Sequence, residues 1–401
     1  YGFDLAAEIP VRAQVFRVGA DEQILVLLIH HIAGDGWSWA PLIRDLATAY
    51  RARCEGRVPD WLPLPVQYAD YTLWQRDWLG DLDDPDSEIN TQLEYWGHAL
   101  AGLPDRLELP TDRPYPPVAD HRGDTVGFEW SPRLQQRLQQ LAREHDATMF
   151  MVVQAGLAVL LSRLSGQDDV AVGYPIAGRS DSALNDLVGF FVNTLVLRTD
   201  LSGDPTFTQI LTQVKDRCLQ AYTHQDLPFE VLVDRLAPTR SLSHHPLFQV
   251  MLTWQNDTGF GYNGTDTTAR DLTGMTINPV NVETGTARFD LAWTLTEQAD
   301  LDGDPAGIVG ALGYRTALFD RASIEALVTQ LERVLTAVTE DPDTRVGSVE
   351  LLGEAERTEL AVWGGRGAVT EPSSAVSVPE LFAVQVARTP DAVAVVFEDR
   401  S

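Results

Sequence analysis

Apolar and polar positions along the chain predict strands and helices in turn. Residues 11–18 alternate as a strand would, and the aliphatic run 24–29 has the length and composition of a buried strand. In 40–54, apolar residues recur three and four positions apart, which predicts an amphipathic helix. His30 and His31 therefore lie at the junction where a strand passes through a loop into a helix, and loops presented by a rigid sheet often carry function.

Helices and strands continue to alternate through the rest of the chain. Residues 131–166 predict two helices, the first amphipathic with a Ser-Pro start and the second nearly all apolar and therefore buried. Strands are predicted at 168–178, 191–201, 245–256, 288–298 and 307–316, and helices at 68–79, around 93–103, at 205–225 and at 320–341. This alternation predicts an α/β fold, in the form of an α+β sandwich.

Proline, glycine and serine mark the expected domain boundaries. Prolines cluster within 109–123, which is typical of a stiff, exposed connector, so we assign 1–110 to a first lobe and 111–347 to a second. Residues 348–376 have the composition of a linker, and 377–401 predict a helix and a strand that stop within a fold. Because the chain also starts without methionine, we expect it to be a fragment of a longer protein.

Composition and charge narrow the function classes. The 401 residues carry a net charge of −28, and a surface that acidic repels phosphate backbones and anionic lipid, so we expect no nucleic-acid or membrane partner. No apolar run approaches the roughly 20 residues that cross a bilayer, and no signal peptide opens the chain. The two cysteines, Cys54 and Cys218, lie far apart without metal-like spacing, which fits the reducing cytoplasm.

The pair His30 and His31 indicates a candidate general base but does not identify a substrate. Alternation along a strand would place His30 and His31 on opposite faces, and no third ligand accompanies Asp35, so we predict no metal site. A histidine that faces a cleft can act as a general base. Asp35 could pair with an arginine and hold the loop, or orient the imidazole, and Gly36 would allow a tight turn. The alternative is a pair of structural histidines.

Two other features have plain structural interpretations. The aromatic residues Tyr68, Tyr71, Trp74 and Trp78 recur three and four positions apart, which predicts core packing along one helix face. The acidic stretch 81–88 predicts a solvated insertion between two helices.

Several motifs then occur in one order along the chain. The segment HHIAGDG at 30–36 matches the pattern HHxxxDG, and VGFFVNTLVLR at 188–198 matches (V/I)GxFVNTxxxR, which leaves position 190 open. The other matching segments are YADYTLWQ at 68–75, HQDLPFE at 224–230, RSLSHHPLFQVML at 240–252 and the tail SVPELFAVQVARTPDAVAVVFED at 377–399. On these motifs the chain resembles condensation domains of nonribosomal peptide synthetases, and its tail resembles the start of an adenylation domain.

The resemblance implies a fold and a set of site residues. It implies two lobes similar to chloramphenicol acetyltransferase in a pseudo-dimer, with the first lobe incomplete here. It implies that His31 is the catalytic residue, supported by His30, Asp35, Gly36 and Arg240. The residues expected near a substrate tunnel between the lobes are Trp37, Ser38, Gly189, Asn193, Gln225 and Asp226.

The resemblance also implies a reaction and its partners. An upstream peptidyl carrier domain would deliver an acyl or peptidyl thioester, and a downstream one an aminoacyl thioester whose amine attacks it. The phosphopantetheine arms of those carriers would be parts of the substrates, with no cofactor bound by this chain and an adenylation domain in cis. His31 would accept the proton of the attacking amine, or position that amine and stabilise developing charge.

Three related classes are alternatives. An epimerisation domain shares HHxxxDG, but the adenylation-like tail favours condensation. A heterocyclisation domain has paired aspartates where this chain has His30 and His31, which excludes it. A catalytically silent docking module typically lacks the second histidine, which this chain keeps. Within the condensation group, residues 224–252 and the acidic insertion are more similar to domains that accept a D-configured donor.

Overall fold

Strands of this protein form one hairpin and one larger sheet. The structure is a computed structural model that describes residues 1–236, 241–255, 277–278, 280, 282, 284–364 and 377–393. In that part of the chain the strands are β1 (Val11–Arg17), β2 (Gln23–Ile29), β3 (Gly123–Trp130), β4 (Asp169–Ile176), β5 (Asn193–Asp200), β6 (Val250–Gln255), β7 (Leu291–Ala299) and β8 (Pro305–Arg315). β1 pairs with β2, and the others form a sheet in the order β3-β8-β7-β6-β4-β5. It is mixed, because β4, β6 and β7 pair parallel and the remaining pairs are antiparallel.

Helices pack against this sheet and against one another. They are α1 (Trp39–Cys54), α2 (Tyr68–Leu79), α3 (Glu88–Ala99), α4 (Pro132–Glu144), α5 (Met149–Ser165), α6 (Phe207–Thr223), α7 (Phe229–Leu236), α8 (Arg321–Glu340), α9 (Glu354–Trp363) and α10 (Val378–Arg388). α5 is buried along most of its length and contacts α4, α6, α8 and β4. Burying so many apolar side chains makes α5 the centre of the core.

The two helices predicted in 131–166 are confirmed together with their capping. Ser131 accepts the N–H of Leu134 at 3.2 Å and Pro132 occupies the first turn of α4, where its missing N–H costs nothing. α5 ends at Gly166, whose φ of 70° is left-handed, as glycine permits. α7 is a helix that the sequence analysis missed, and α3 begins at Glu88, before the predicted region.

The hairpin β1–β2 differs from its prediction in burial. The run 24–29 is a strand as expected, but most of its side chains are exposed, as are all of those in β1. Two strands alone form only one thin layer, so neither face of this hairpin is buried in the way that a strand within a larger sheet would be.

The proline-rich segment 109–123 is anchored to the larger sheet. The Tyr115 hydroxyl donates to Asp290 Oδ2 at 2.6 Å, and Arg315 Nη1 lies 2.9 Å from Asp290 Oδ1. Asp290 and Arg315 are buried, and this burial raises the pKa of the Asp290 carboxyl against the opposing effect of Tyr115 and Arg315. The connector is therefore tied to the start of β7 and the end of β8.

The chain divides into two compact units, Tyr1–Leu351 and Leu352–Ser401. Helix α9 lies within 348–376, and the assignment of this segment as a linker stays a prediction. The helix predicted near the tail is confirmed as α10, and the strand predicted after it lies outside the described residues. The lobe boundary at residue 110 stays a prediction.

Membrane-spanning potential is limited in the described residues. No single helix among them is long and apolar enough to cross a bilayer. Taken as a pair, α4 and α5 reach the required length and composition, but they are bent by 103° and α5 is buried inside the protein.

The partly buried side chain of His245 should make the free energy of unfolding depend on pH. His245 packs among Phe229, Phe248 and Phe289, and burial first, then the charge of Arg288, lowers its pKa to about 4. The unfolded chain would bind a proton below about pH 6.5, so this histidine destabilises the fold as pH falls from there toward 4. We expect the free energy of unfolding to fall less between pH 7 and pH 5 in His245→Gln than in the wild type, as measured by urea titration. His98→Gln, at an exposed position, is the control. An unchanged pH dependence in His245→Gln would contradict the assignment.

Candidate active site

The histidine loop begins where β2 ends, and its two histidines have different environments. His30 is extended and caps a 3-10 turn at His31–Ala33, with its Nδ1 accepting the N–H of Ile32 at 3.1 Å. Its ring also contacts Phe3, at 6.0 Å between centroids. The expectation that the histidines occupy opposite faces of a strand is wrong, because the backbone turns at His31. Nδ1 of His30 is used inside the loop, and the supporting role expected for this residue stays a prediction.

His31 is exposed and its ring packs against Phe190. The two ring centroids lie 5.0 Å apart with the planes at 85°, an edge-to-face arrangement. Among the residues that the structure describes, no group hydrogen-bonds to either ring nitrogen of His31. Both nitrogens are therefore available to a bound molecule, as a proton-transferring imidazole requires.

Asp35 connects the histidine loop to the loop before β5. Its Oδ1 accepts the N–H of Ser38 at 3.1 Å, and its Oδ2 accepts the N–H groups of Phe191 at 2.9 Å and Val192 at 3.1 Å. Arg179 Nη2 lies 3.5 Å from Oδ1 of Asp35. The side chain of Arg179 is 4% exposed and that of Asp35 is 1% exposed. Of the two roles left open by the sequence, the structure selects the loop-holding one, since both carboxylate oxygens are occupied away from His31.

Arg179 is a residue that the sequence analysis missed. It follows β4, donates to the carbonyls of Leu184 and, at 2.9 Å, Leu187, and its Cζ lies 4.1 Å from the centre of the Phe191 ring. Gly178 precedes it with a φ of +63°, and a Cβ there would lie 1.9 Å from the carbonyl oxygen of Phe191. A buried aspartate is stable only with a positively charged partner. The Gly178-Arg179 pair at the end of a predicted strand was the feature of the sequence that could have identified this partner.

Ser38 and Gly189 are joined by hydrogen bonds. The Ser38 Oγ accepts the N–H of Gly189 at 3.1 Å, and its hydrogen lies within reach of both the Gly189 carbonyl and Asp35 Oδ1. A Cβ at residue 189 would lie 2.3 Å from the Tyr68 ring, so only glycine fits. Both residues are buried, and lining of a substrate tunnel by them stays a prediction. Gly36 is exposed and Trp37 half-buried, and the tunnel role of Trp37 stays a prediction.

Asn193 holds the loop that contains Gln225 and Asp226. Its Nδ2 donates to the carbonyls of Gln225 and Leu227, both at 2.8 Å, and its Oδ1 accepts the N–H of Phe229 at 3.1 Å. The side-chain amide is fully used in these bonds. Burial raises the pKa of the Asp226 carboxyl, against the opposing effect of the Gln92 amide. Tunnel lining by Gln225 and Asp226 stays a prediction.

The aromatic residues of α2 divide into two pairs. Tyr68 and Tyr71 surround Phe191 at 5.1 and 4.8 Å between centroids, and burial raises the pKa of Tyr71 to about 12. Core packing is therefore confirmed for these two. It is wrong for Trp74 and Trp78, which are 51% and 42% exposed and stack on each other with 5.9 Å between their ring centroids. The aromatic stripe along α2 extends beyond the part of the helix surface that is buried.

Two further expectations concern Arg240 and metal binding. Arg240 lies outside the described residues. Within the described part of the chain, no group of three or more His, Cys, Asp or Glu side chains is placed to hold a metal ion.

Comparison with curated proteins gives the family. A family profile described as Condensation domain matches residues 1–361. The chain is 56% identical over 402 residues to the isonitrile lipopeptide synthase of Mycobacterium tuberculosis, covering 100% of this chain and 16% of that protein. It is 49% identical over 401 residues to the dimodular nonribosomal peptide synthase of Bacillus subtilis, again covering 100% and 16%. The chain thus spans a small part of the length of these relatives.

Solved structures agree with this result. The X-domain from teicoplanin biosynthesis superposes with a TM-score of 0.79 at 36% identity, over 87% of this chain and 76% of that one. A four-domain nonribosomal peptide synthetase bound to AMP and glycine gives a TM-score of 0.75 at 26% identity, over 88% of this chain and 26% of that one. These likenesses confirm the fold that the motifs implied. The profile match over most of its length shows that the chain belongs to the condensation domain family.

Proposed function

We propose that this chain forms a peptide bond between an acyl or peptidyl thioester and the amine of an aminoacyl thioester in nonribosomal peptide synthesis. The observation that carries the proposal is the state of His31, an exposed imidazole with both nitrogens unbonded among the described residues, in a loop that Asp35 holds. Membership of the condensation domain family supports the reaction class.

The chemistry requires one proton transfer and one acyl transfer. The acceptor amine attacks the donor carbonyl carbon, so that a C–N bond forms and the C–S bond of the donor thioester breaks. His31 takes a proton from the attacking nitrogen, and that proton ends on the departing thiolate as a thiol. A positioned base of this kind contributes about 10²–10⁴-fold in rate, and holding both reactants together contributes further.

Both substrates would arrive on carrier domains through phosphopantetheine arms. We propose upstream and downstream peptidyl carrier domains as partners, an adenylation domain in cis, and a cytoplasmic location. In this proposal 1–110 and 111–347 are the two lobes, 348–376 connects them to the adenylation domain, and 377–401 begins that domain. The net charge of −28 suggests that local apolar and arginine contacts, rather than long-range attraction, bind acidic carriers.

A silent docking module is the second candidate, because a solved structure similar to this chain is an X-domain. That X-domain is recorded in complex with OxyB, a property of that protein. The free imidazole of His31 favours catalysis here, since a docking surface would not need it. The D-configured donor also belongs to the proposal, with the HQDLPFE-to-PLFQVML segment as its support.

Replacing His31 tests the reaction. In the full-length protein that carries this chain, we expect His31→Ala to lower the rate of peptide formation by about 100-fold or more, because the proton acceptor is lost. Donor dipeptides of D and L configuration are loaded on the upstream carrier, an amino acid is loaded on the downstream one, and the product is measured by intact mass.

His98→Ala is the matched control, since that histidine is exposed on α3 outside the site. A folded His31→Ala protein that forms peptide at the wild-type rate would refute the role of His31. Inversion of a stereocentre without lengthening would favour epimerisation, and tight carrier binding without any turnover would favour docking. A rate that is higher with the L-configured donor would contradict the donor assignment.

Replacing Asp35 tests the loop-holding role. We expect Asp35→Asn to destabilise the fold by about 3–5 kcal/mol, because Arg179 would stay buried without its counter-charge. Asp45→Asn is the control, since Asp45 pairs with Arg44 at an exposed position and such pairs contribute about 0–1 kcal/mol. Urea titration of the variants measures both changes. Equal effects at the two positions would contradict the account.

A further inference from the structure

Phe190 is the ring that contacts His31, and it stands at the position that the motif (V/I)GxFVNT leaves open. We propose that Phe190 determines specificity, by limiting the size of the side chain on the acceptor amino acid. The inference rests on the proposed function, and it assigns to one residue a choice between substrates of that reaction.

The backbone around Phe190 is fixed by its neighbours. The N–H and carbonyl of Gly189 meet Ser38, the carbonyl of Phe190 accepts the Tyr68 hydroxyl at 2.7 Å, and the N–H of Phe191 donates to Asp35. All of these bonds use main-chain atoms of the 189–191 segment. The place from which the Phe190 ring projects is therefore set independently of the side chain at that position.

The two adjacent phenylalanines have opposite roles. Phe191 is buried among Tyr68, Tyr71 and the guanidinium of Arg179, so its ring belongs to the core. Phe190 is 37% exposed and its ring lies against His31, at the surface where a substrate would bind. A change at Phe190 should alter the shape beside His31 with little effect on folding. A change at Phe191 would disturb its packing against Arg179 and the tyrosines of α2.

The chemistry points to the acceptor rather than the donor. A base must come within about 2.6–3.2 Å of the nitrogen whose proton it takes. The side chain of an amino acid is attached to the carbon bonded to that nitrogen, so it lies within reach of a ring 5.0 Å from the imidazole centre. The carbon that bears the donor side chain is one bond farther from that nitrogen, because it lies beyond the reacting carbonyl carbon. A rigid apolar wall at this place would penalise large acceptor side chains.

The test compares acceptors of different size. The full-length protein is given one carrier-bound donor and the N-acetylcysteamine thioesters of glycine, alanine, leucine and tryptophan, and kcat/KM is measured for each. We expect Phe190→Ala to raise the leucine-to-alanine ratio by about tenfold or more, within the range that one or more methylenes contribute in apolar pockets. Phe190→Trp should lower the same ratio.

Val188→Ala is the matched control, since Val188 lies in the same loop with nearly the same exposure, 36%. It should leave the ratio unchanged. An unchanged ratio in Phe190→Ala, or an equal loss for every acceptor, would overturn the inference, and so would a shift confined to a series of donors. If the wild type forms no peptide with any acceptor, the proposed function itself fails, which is a different result from peptide formation with unaltered selectivity.

Discussion

The carboxylate of Asp35 is the group on which the arrangement of the site depends. A charge this deeply buried is stable only when it is paired and hydrogen-bonded. The partners of Asp35 are three backbone N–H groups, the Ser38 hydroxyl and Arg179. Two of those N–H groups belong to residues 191 and 192, more than 150 positions along the chain. The same interaction therefore closes the histidine loop and brings the segment before β5 beside it.

The bonds of Asp35 separate residues that hold the two segments together from residues that face outward. His30 uses its Nδ1 within the loop, and Ser38 and Gly189 join the two segments. His31 and Phe190 are left facing outward, in contact with each other. One buried ion pair thus supports this exposed pair. In our proposal, His31 performs the proton transfer and Phe190 sets the selectivity.

The sequence predicts the regular elements well because their signals are local. The capped helices α4 and α5, the strands β4 to β8 and the need of Asp35 for a cation all follow from nearby residues or from burial, whereas β3 was not predicted. The identity of that cation does not, since Arg179 lies 144 positions from Asp35 and only folding brings them together. Likewise, spacing places Trp74 and Tyr71 on one stripe but does not say where the covering surface ends. The turn at His31 was missed because the strand pattern was extended past Ile29.

Amide hydrogen exchange of Asp35→Ala, compared with the wild type, tests most directly whether one carboxylate holds both segments. The account predicts that protection is lost together in 31–38 and 186–193, because the N–H groups of Phe191 and Val192 lose their acceptor along with that of Ser38. Protection in β3 and β8, away from Asp35, should fall less than protection in these two segments. Faster exchange confined to 31–38, or unchanged protection in both segments, would contradict the account.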